Sequence, residues 1–168
     1  LLFTVQKGLP LMKKGASIIL TGSTTGVMGT AQFSVYSATK AAVRNFARSW
    51  SQDLRGTGIR VNVLSPGPTR TELALEVMGD DAMDALGKLT PVERMGDPSE
   101  TAAVAAFLAS SDSSFMTGSE VFVDGGFANL APYTSEIYPT AMRTHGMGLA
   151  WMMSGLGRII GPAGVGTI

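Results

Sequence analysis

The sequence contains no cysteine. That absence excludes a disulfide framework and any thiolate metal site, and it fits a reducing compartment, so a cytoplasmic location is expected. Histidine occurs once, at His145, with no second cluster of ligand-type residues beside it. No metal centre is expected, and a loop or interfacial histidine is. Net charge is missing too, since 13 basic residues balance 13 acidic ones. No global field then draws the chain to nucleic acid or to an anionic membrane surface, and small molecules or other protein chains are the expected partners. The opening string LLFTVQKGLPLMKKG lacks the basic start, long apolar run and small-residue cleavage site of a secretory signal, and reads as a helix end. The first residue is Leu1 rather than Met, from which a natural start further upstream is expected.

What the chain does have is 168 residues with 45 % hydrophobic content, room for one ordinary domain with a buried core. Gly15 is placed to end the opening segment as a helix C-terminal glycine would. Ala16 to Thr21 (ASIILT) is a short apolar run suited to a fully buried parallel strand. A glycine-punctuated loop, Gly22 to Thr30, leads into a helix from about Val35 to Arg55, with Ala42, Phe46, Trp50 and Leu54 at helical spacing and Gly56 or Gly58 as the stop. Ile59 to Leu64 (IRVNVL) is a second strand, halted by Pro66-Gly67-Pro68. Thr71 to Val92 reads as a loosely helical excursion over the carboxyl ends of the strands. Asp97, Pro98 and Glu100 reproduce an N-cap, a first-turn proline and a capping-box partner, starting a helix that runs to about Ala109. Glu120 to Gly126 gives a third short strand and a glycine turn at Asp124-Gly125-Gly126. The pattern predicts an α/β fold, a partial Rossmann-like parallel sheet of about three strands with flanking helices, over residues 1–130.

The chemistry concentrates in YSATK. A spacing of four on a helix puts Tyr36 and Lys40 on one face, about 5–6 Å apart at Cβ. A free tyrosine has a pKa of about 10, so it serves as an acid-base group at neutral pH only where a positive charge favours its phenolate. Lys40 supplies such a charge. Ser23 follows the first strand, where side chains of an open parallel sheet point into a ligand crevice, and its hydroxyl can bond a substrate carbonyl oxygen. A tyrosine and a lysine four apart are commonly just a solvated face, and a Pro-Gly pair after a strand is commonly just a turn. Only the ordered combination is specific. The string T-G-S-T-T-G-V-M-G, Thr21 to Gly29, looks like a dinucleotide-binding glycine loop, but its last glycine falls one place late and YxxxK follows within ten residues. It reads as a catalytic-serine loop.

Taken in order, a strand ending in TGS, then YxxxK, then NVLSPGPTRT, then FMTGSEVFVDGG, resembles the C-terminal half of the classical short-chain dehydrogenase/reductase family, over about residues 1–130. The resemblance implies an oxidoreductase using NAD or NADP on a small carbonyl or alcohol substrate. It gives Ser23 the polarisation of the carbonyl, Tyr36 the proton, and Lys40 the tuning of Tyr36 together with a bond to the nicotinamide ribose. Pro66, Gly67, Thr69 and Thr71 would lie beside the nicotinamide and pyrophosphate. It also implies a homo-oligomer, because the family commonly dimerises through its tyrosine-bearing helix. The family's glycine-rich phosphate loop, its acidic or basic selector of NAD or NADP, its Asn-Ala-Gly turn and its helix asparagine would all precede Leu1. The sequence therefore leaves open whether the chain alone turns over or serves as an inactive interaction module, and it names neither the substrate nor the choice between the two cofactors.

Residues 131–168 are of another kind, with Glu136, Arg143 and Arg158 as their only formal charges. From Gly146 to Ile168 only Arg158 interrupts an apolar, glycine-rich stretch of 23 residues, which is long enough to span a bilayer although the uninterrupted part is not. SEIYPTAMRTHGMGLAWMMSGLGRIIGP is similar to one loop and helix of major facilitator transporters, with Glu136, Pro139 and Arg143 in the loop motif. On this reading the tail is a fused, transmembrane-like passenger that contacts membrane through 146–168, and a membrane-associated transporter fragment is the competing function. One helix cannot transport, since transporters pack repeats around a central site. The alternative is an amphipathic helix docked on the first domain.

Overall fold

Three parallel strands form the sheet, in the order β1 (Ser17–Thr21), β2 (Arg60–Pro66), β3 (Glu120–Val123). A computed structural model describes residues 1–130 of the chain, and Leu1–Ala128 make one compact unit. The expectations for 131–168, including His145, the membrane contact and the transporter-like helix, lie outside the described residues. Among the described residues no helix is long and apolar enough to cross a membrane.

β2 lies in the middle of the sheet, and Val61 through Ser65 are all buried, as a central parallel strand with both faces covered requires. Register pairs Ile18 with Val61 and Leu20 with Val63. These four and Ala47 make the core on one face. α2 (Ser34–Asp53) covers that face, and its Val43, Phe46 and Trp50 pack on the core, with Phe46 and Trp50 stacked at 5.0 Å. The expected stripe is corrected here, because Ala42 faces solvent while Val43 and Ala47 face the sheet. A strict step of four drifts around a helix of 3.6 residues per turn, so the buried stripe mixes steps of three and four.

α5 (Pro98–Ala109) lies on the opposite face, its buried Leu108 offering a carbonyl to the Ser17 hydroxyl at 2.7 Å. Its start is the expected capping box: the Asp97 carboxylate accepts the Ser99 N–H and Glu100 accepts the Asp97 N–H, both at 2.8 Å. Its end is closed by the Arg60 guanidinium, which donates to the carbonyls of Leu108, Ser110 and Ser113. Asn62, fully buried, donates to the Met116 carbonyl at 2.8 Å and accepts the Ser119 N–H at 3.1 Å, fastening the approach to β3.

Other boundaries shift for local reasons. α1 (Leu2–Gly8) stops well before Gly15, because Pro10 follows it inside a single 3₁₀ turn and cannot donate to a continuing helix. Gly15, at φ +92°, instead turns the chain into β1. β2 runs two residues past Leu64, since Ser65 and Pro66 pair with Phe122 and Val123 of β3. The excursion resolves into two short helices, α3 (Glu72–Met78) and α4 (Asp80–Gly87), broken at Gly79 with φ +77°.

Candidate active site

Parallel strands deliver their following loops to one end of the sheet, and an open cleft of about 400 Å³ lies there. Thr21, Gly22, Ser23, Tyr36, Lys40, Pro66, Gly67, Thr69 and Thr71 line it, together with Pro98 and Thr101 from the first turn of α5. All seven residues singled out in the sequence therefore face one space. Pro98 and Thr101 were not among them, because the capping pattern announces where α5 starts but not what its first turn closes.

Ser23 is extended, at φ −169° and ψ 152°, and caps the 3₁₀ turn Thr24–Gly26. Its Oγ accepts both the Thr25 N–H at 3.3 Å and the Thr25 hydroxyl at 3.0 Å. With its acceptor positions occupied, its own O–H is left to donate. Gly26 lets this turn press on α2, since a Cβ there would come within 3.2 Å of the Lys40 carbonyl carbon.

Tyr36 is 45 % exposed and Phe33 meets its ring edge-on, with centroids 6.1 Å apart. Lys40 Nζ lies 5.5 Å from the centroid of the same ring and donates to the Thr21 carbonyl at 3.0 Å. An ammonium within about 6 Å of an aromatic face is held by it. The end of β1 and the Tyr36 ring thus share one cation.

The opposite wall is built from Pro66 to Thr71. Gly67 donates to the Val123 carbonyl at 2.9 Å, and a Cβ on it would lie 2.6 Å from Cα of Asp124. Asp124 in turn accepts the N–H groups of Gly126 and Ala128, making the expected turn, with Gly125 and Gly126 both at positive φ. Thr69 bonds back to the Gly67 carbonyl and bridges to Gly96, while the Thr71 hydroxyl caps α3 by accepting the Ala74 N–H at 3.1 Å. Behind this wall, Arg94 grips Glu100 with two bonds of 2.7 and 2.8 Å. The guanidinium, helped by the Asp97 N–H, holds the Glu100 carboxyl down at about 2. The cleft itself has one cation and no carboxylate among its lining residues.

The family model described as Enoyl-(Acyl carrier protein) reductase matches residues 1–128. Oxidoreductase asL5 of Sarocladium schorii is 57 % identical over 131 residues, covering 77 % of this chain and 53 % of that protein. Among solved structures, the angucycline C-6 ketoreductase LanV with bound NADP superposes with a TM-score of 0.71 at 30 % identity, over 76 % of this chain and 49 % of that one. A short-chain dehydrogenase/reductase from Brucella melitensis, described as a glucose/ribitol dehydrogenase, gives 0.70 at 36 % identity, over 75 % and 51 %. The chain spans about half the length of the curated relatives it matches.

Proposed function

The chain belongs to the short-chain dehydrogenase/reductase family of oxidoreductases, and from that premise we propose that its cleft carries the proton transfer of an NAD- or NADP-dependent exchange between a carbonyl and an alcohol. The observation that carries this reading is the single cleft shared by Ser23, Tyr36 and Lys40, with the Lys40 ammonium between Tyr36 and the end of β1.

In the reducing direction the Tyr36 hydroxyl gives its proton to the oxygen of the substrate carbonyl as that oxygen gains charge. Lys40 favours the phenolate left behind, being the one cation of the cleft lining. Ser23, whose O–H is not spent on Thr25, donates to the same substrate oxygen and steadies it. In the oxidising direction Tyr36 takes the proton back.

The residues present suit the nicotinamide end of a dinucleotide. A lining of hydroxyls, backbone and one ammonium, without a carboxylate, accepts a polyhydroxylated and anionic group. Lys40 and Tyr36 would hold its ribose, and Pro66, Gly67, Thr69 and Thr71 would flank its nicotinamide and pyrophosphate. When bound, the nicotinamide supplies or receives the hydride. The ketoreductase LanV, solved with bound NADP, supports this cofactor class. Phe33 and Val35, 50 % and 77 % exposed at the start of α2, suit a contact between copies and so a homo-oligomer.

A second reading is an interaction module without turnover, favoured by β1, whose outer edge has no partner strand among the described residues. A panel of small ketones and aldehydes, offered to the full chain with NADH or NADPH, separates the two. Substrate-dependent loss of the reduced nicotinamide supports the enzyme, and none across the panel supports the module.

A further inference from the structure

Glu120 opens β3, and only 9 % of its side chain is exposed. A carboxylate taken so far out of water needs partners. It has two. Oε1 accepts the Ser65 hydroxyl at 2.6 Å, and Oε2 lies 3.9 Å from Nε of Arg44.

Each partner leads to a different wall of the cleft. Ser65 is fully buried near the end of β2, and its Oγ occupies the space beside Gly22, where a Cβ would sit 2.2 Å from it. Gly22 directly precedes Ser23, and its N–H is tied to the Leu64 carbonyl at 2.8 Å. Having no Cβ, Gly22 leaves that space to the Ser65 hydroxyl, which therefore lies directly against the backbone that leads into the Ser23 turn. Arg44 belongs to α2, one turn beyond Lys40 and two beyond Tyr36, on the same side of the helix.

We propose that Glu120 is a positioning residue that fixes the separation between Ser23 and the Tyr36–Lys40 pair, acting through Ser65 on one side and Arg44 on the other. It rests on the roles given above to those three residues, and it adds a buried group that touches neither substrate nor cofactor. A pair this long contributes little net stability for the desolvation it costs. Its worth is geometric, since a misplacement of about 1 Å between reacting groups can cost about 100-fold in rate.

The test is hydrogen exchange on the full chain, resolved by peptide, for wild type, Glu120→Ala, Glu120→Gln and Ser65→Ala. Glu120→Ala is expected to speed exchange at 21–26 and at 36–44 while 98–109 stays as it was. Glu120→Gln keeps an acceptor for Ser65 but no charge for Arg44, so it restores 21–26 and leaves 36–44 loosened. Where turnover is present, Glu120→Ala lowers kcat by about 10-fold to 100-fold with little change in the KM for the nicotinamide cofactor. No change in exchange, or a uniform rise along the chain, overturns the proposal. If Glu120→Ala does not fold, Ser65→Ala removes the same bond by one atom, and unaltered exchange at 21–26 in that variant overturns the proposal equally. A chain without turnover that still shows the local pattern would remove the proposed enzyme and leave the positioning role standing.

Discussion

Lys40 leaves its own helix to meet the end of β1, its Nζ donating to the Thr21 carbonyl at 3.0 Å while it stands 5.5 Å from the centre of the Tyr36 ring. One side chain thereby ties the strand that delivers Ser23 to the helix that delivers Tyr36. Replacing it by methionine keeps the stem and removes the charge. Lys40→Met is expected to lower kcat by about 100-fold or more. Because the bond to Thr21 is exposed, urea unfolding should move by no more than about 1 kcal/mol.

Gly67 is the tightest point of the opposite wall, with Asp124 backbone 2.6 Å from where a Cβ would go. Gly67→Ala must push β2 and the Asp124 turn apart, at a cost of about 1–3 kcal/mol. Denaturant midpoints measure the stability loss. Calorimetric titration with NADPH should show binding weakened beyond the loss of folded protein.

The clasp behind that wall gives a pH dependence with a definite sign. Glu100 has its folded pKa lowered from 4.5 to about 2. Its contribution is therefore fully present above the unfolded value and is lost as pH falls through the folded one. Wild type and Glu100→Gln should differ in Tm by a constant amount above about pH 5, and the difference should shrink steadily toward pH 2. A difference that grew on acidification would contradict the clasp.

Asn62 uses both ends of its buried amide, on Met116 and on Ser119. Asn62→Ala strands a carbonyl and an N–H inside the protein, and a loss of about 2–3 kcal/mol is expected in urea unfolding.

The elements legible in the sequence were those with a local cause. The capping box at Asp97 and Glu100 starts α5 where the pattern places it, and the apolar runs around Ile18 and Val61 become adjacent parallel strands. Contacts set by tertiary packing were not legible. Ala42 fits a step of four as well as Val43 fits a step of three, and only the sheet decides between them. At the site, short strings carried Ser23, Tyr36 and Lys40, whereas Pro98 and Thr101 reach the cleft from a helix that begins 58 residues after Lys40. Glu120 was hidden for the same reason, since register sets it opposite Val63 and only its long side chain, reaching diagonally along the same face of β2, meets Ser65.

The central claim is that Tyr36 is the proton carrier of a carbonyl–alcohol exchange, and the most direct measurement compares the chain with Tyr36→Phe on one substrate and one nicotinamide cofactor. That substitution removes a single oxygen from a residue 45 % exposed, so circular dichroism and thermal unfolding should be unchanged. The predicted result is a kcat lower by about 100-fold to 10,000-fold with cofactor binding retained. Turnover equal to that of the unaltered chain would contradict it.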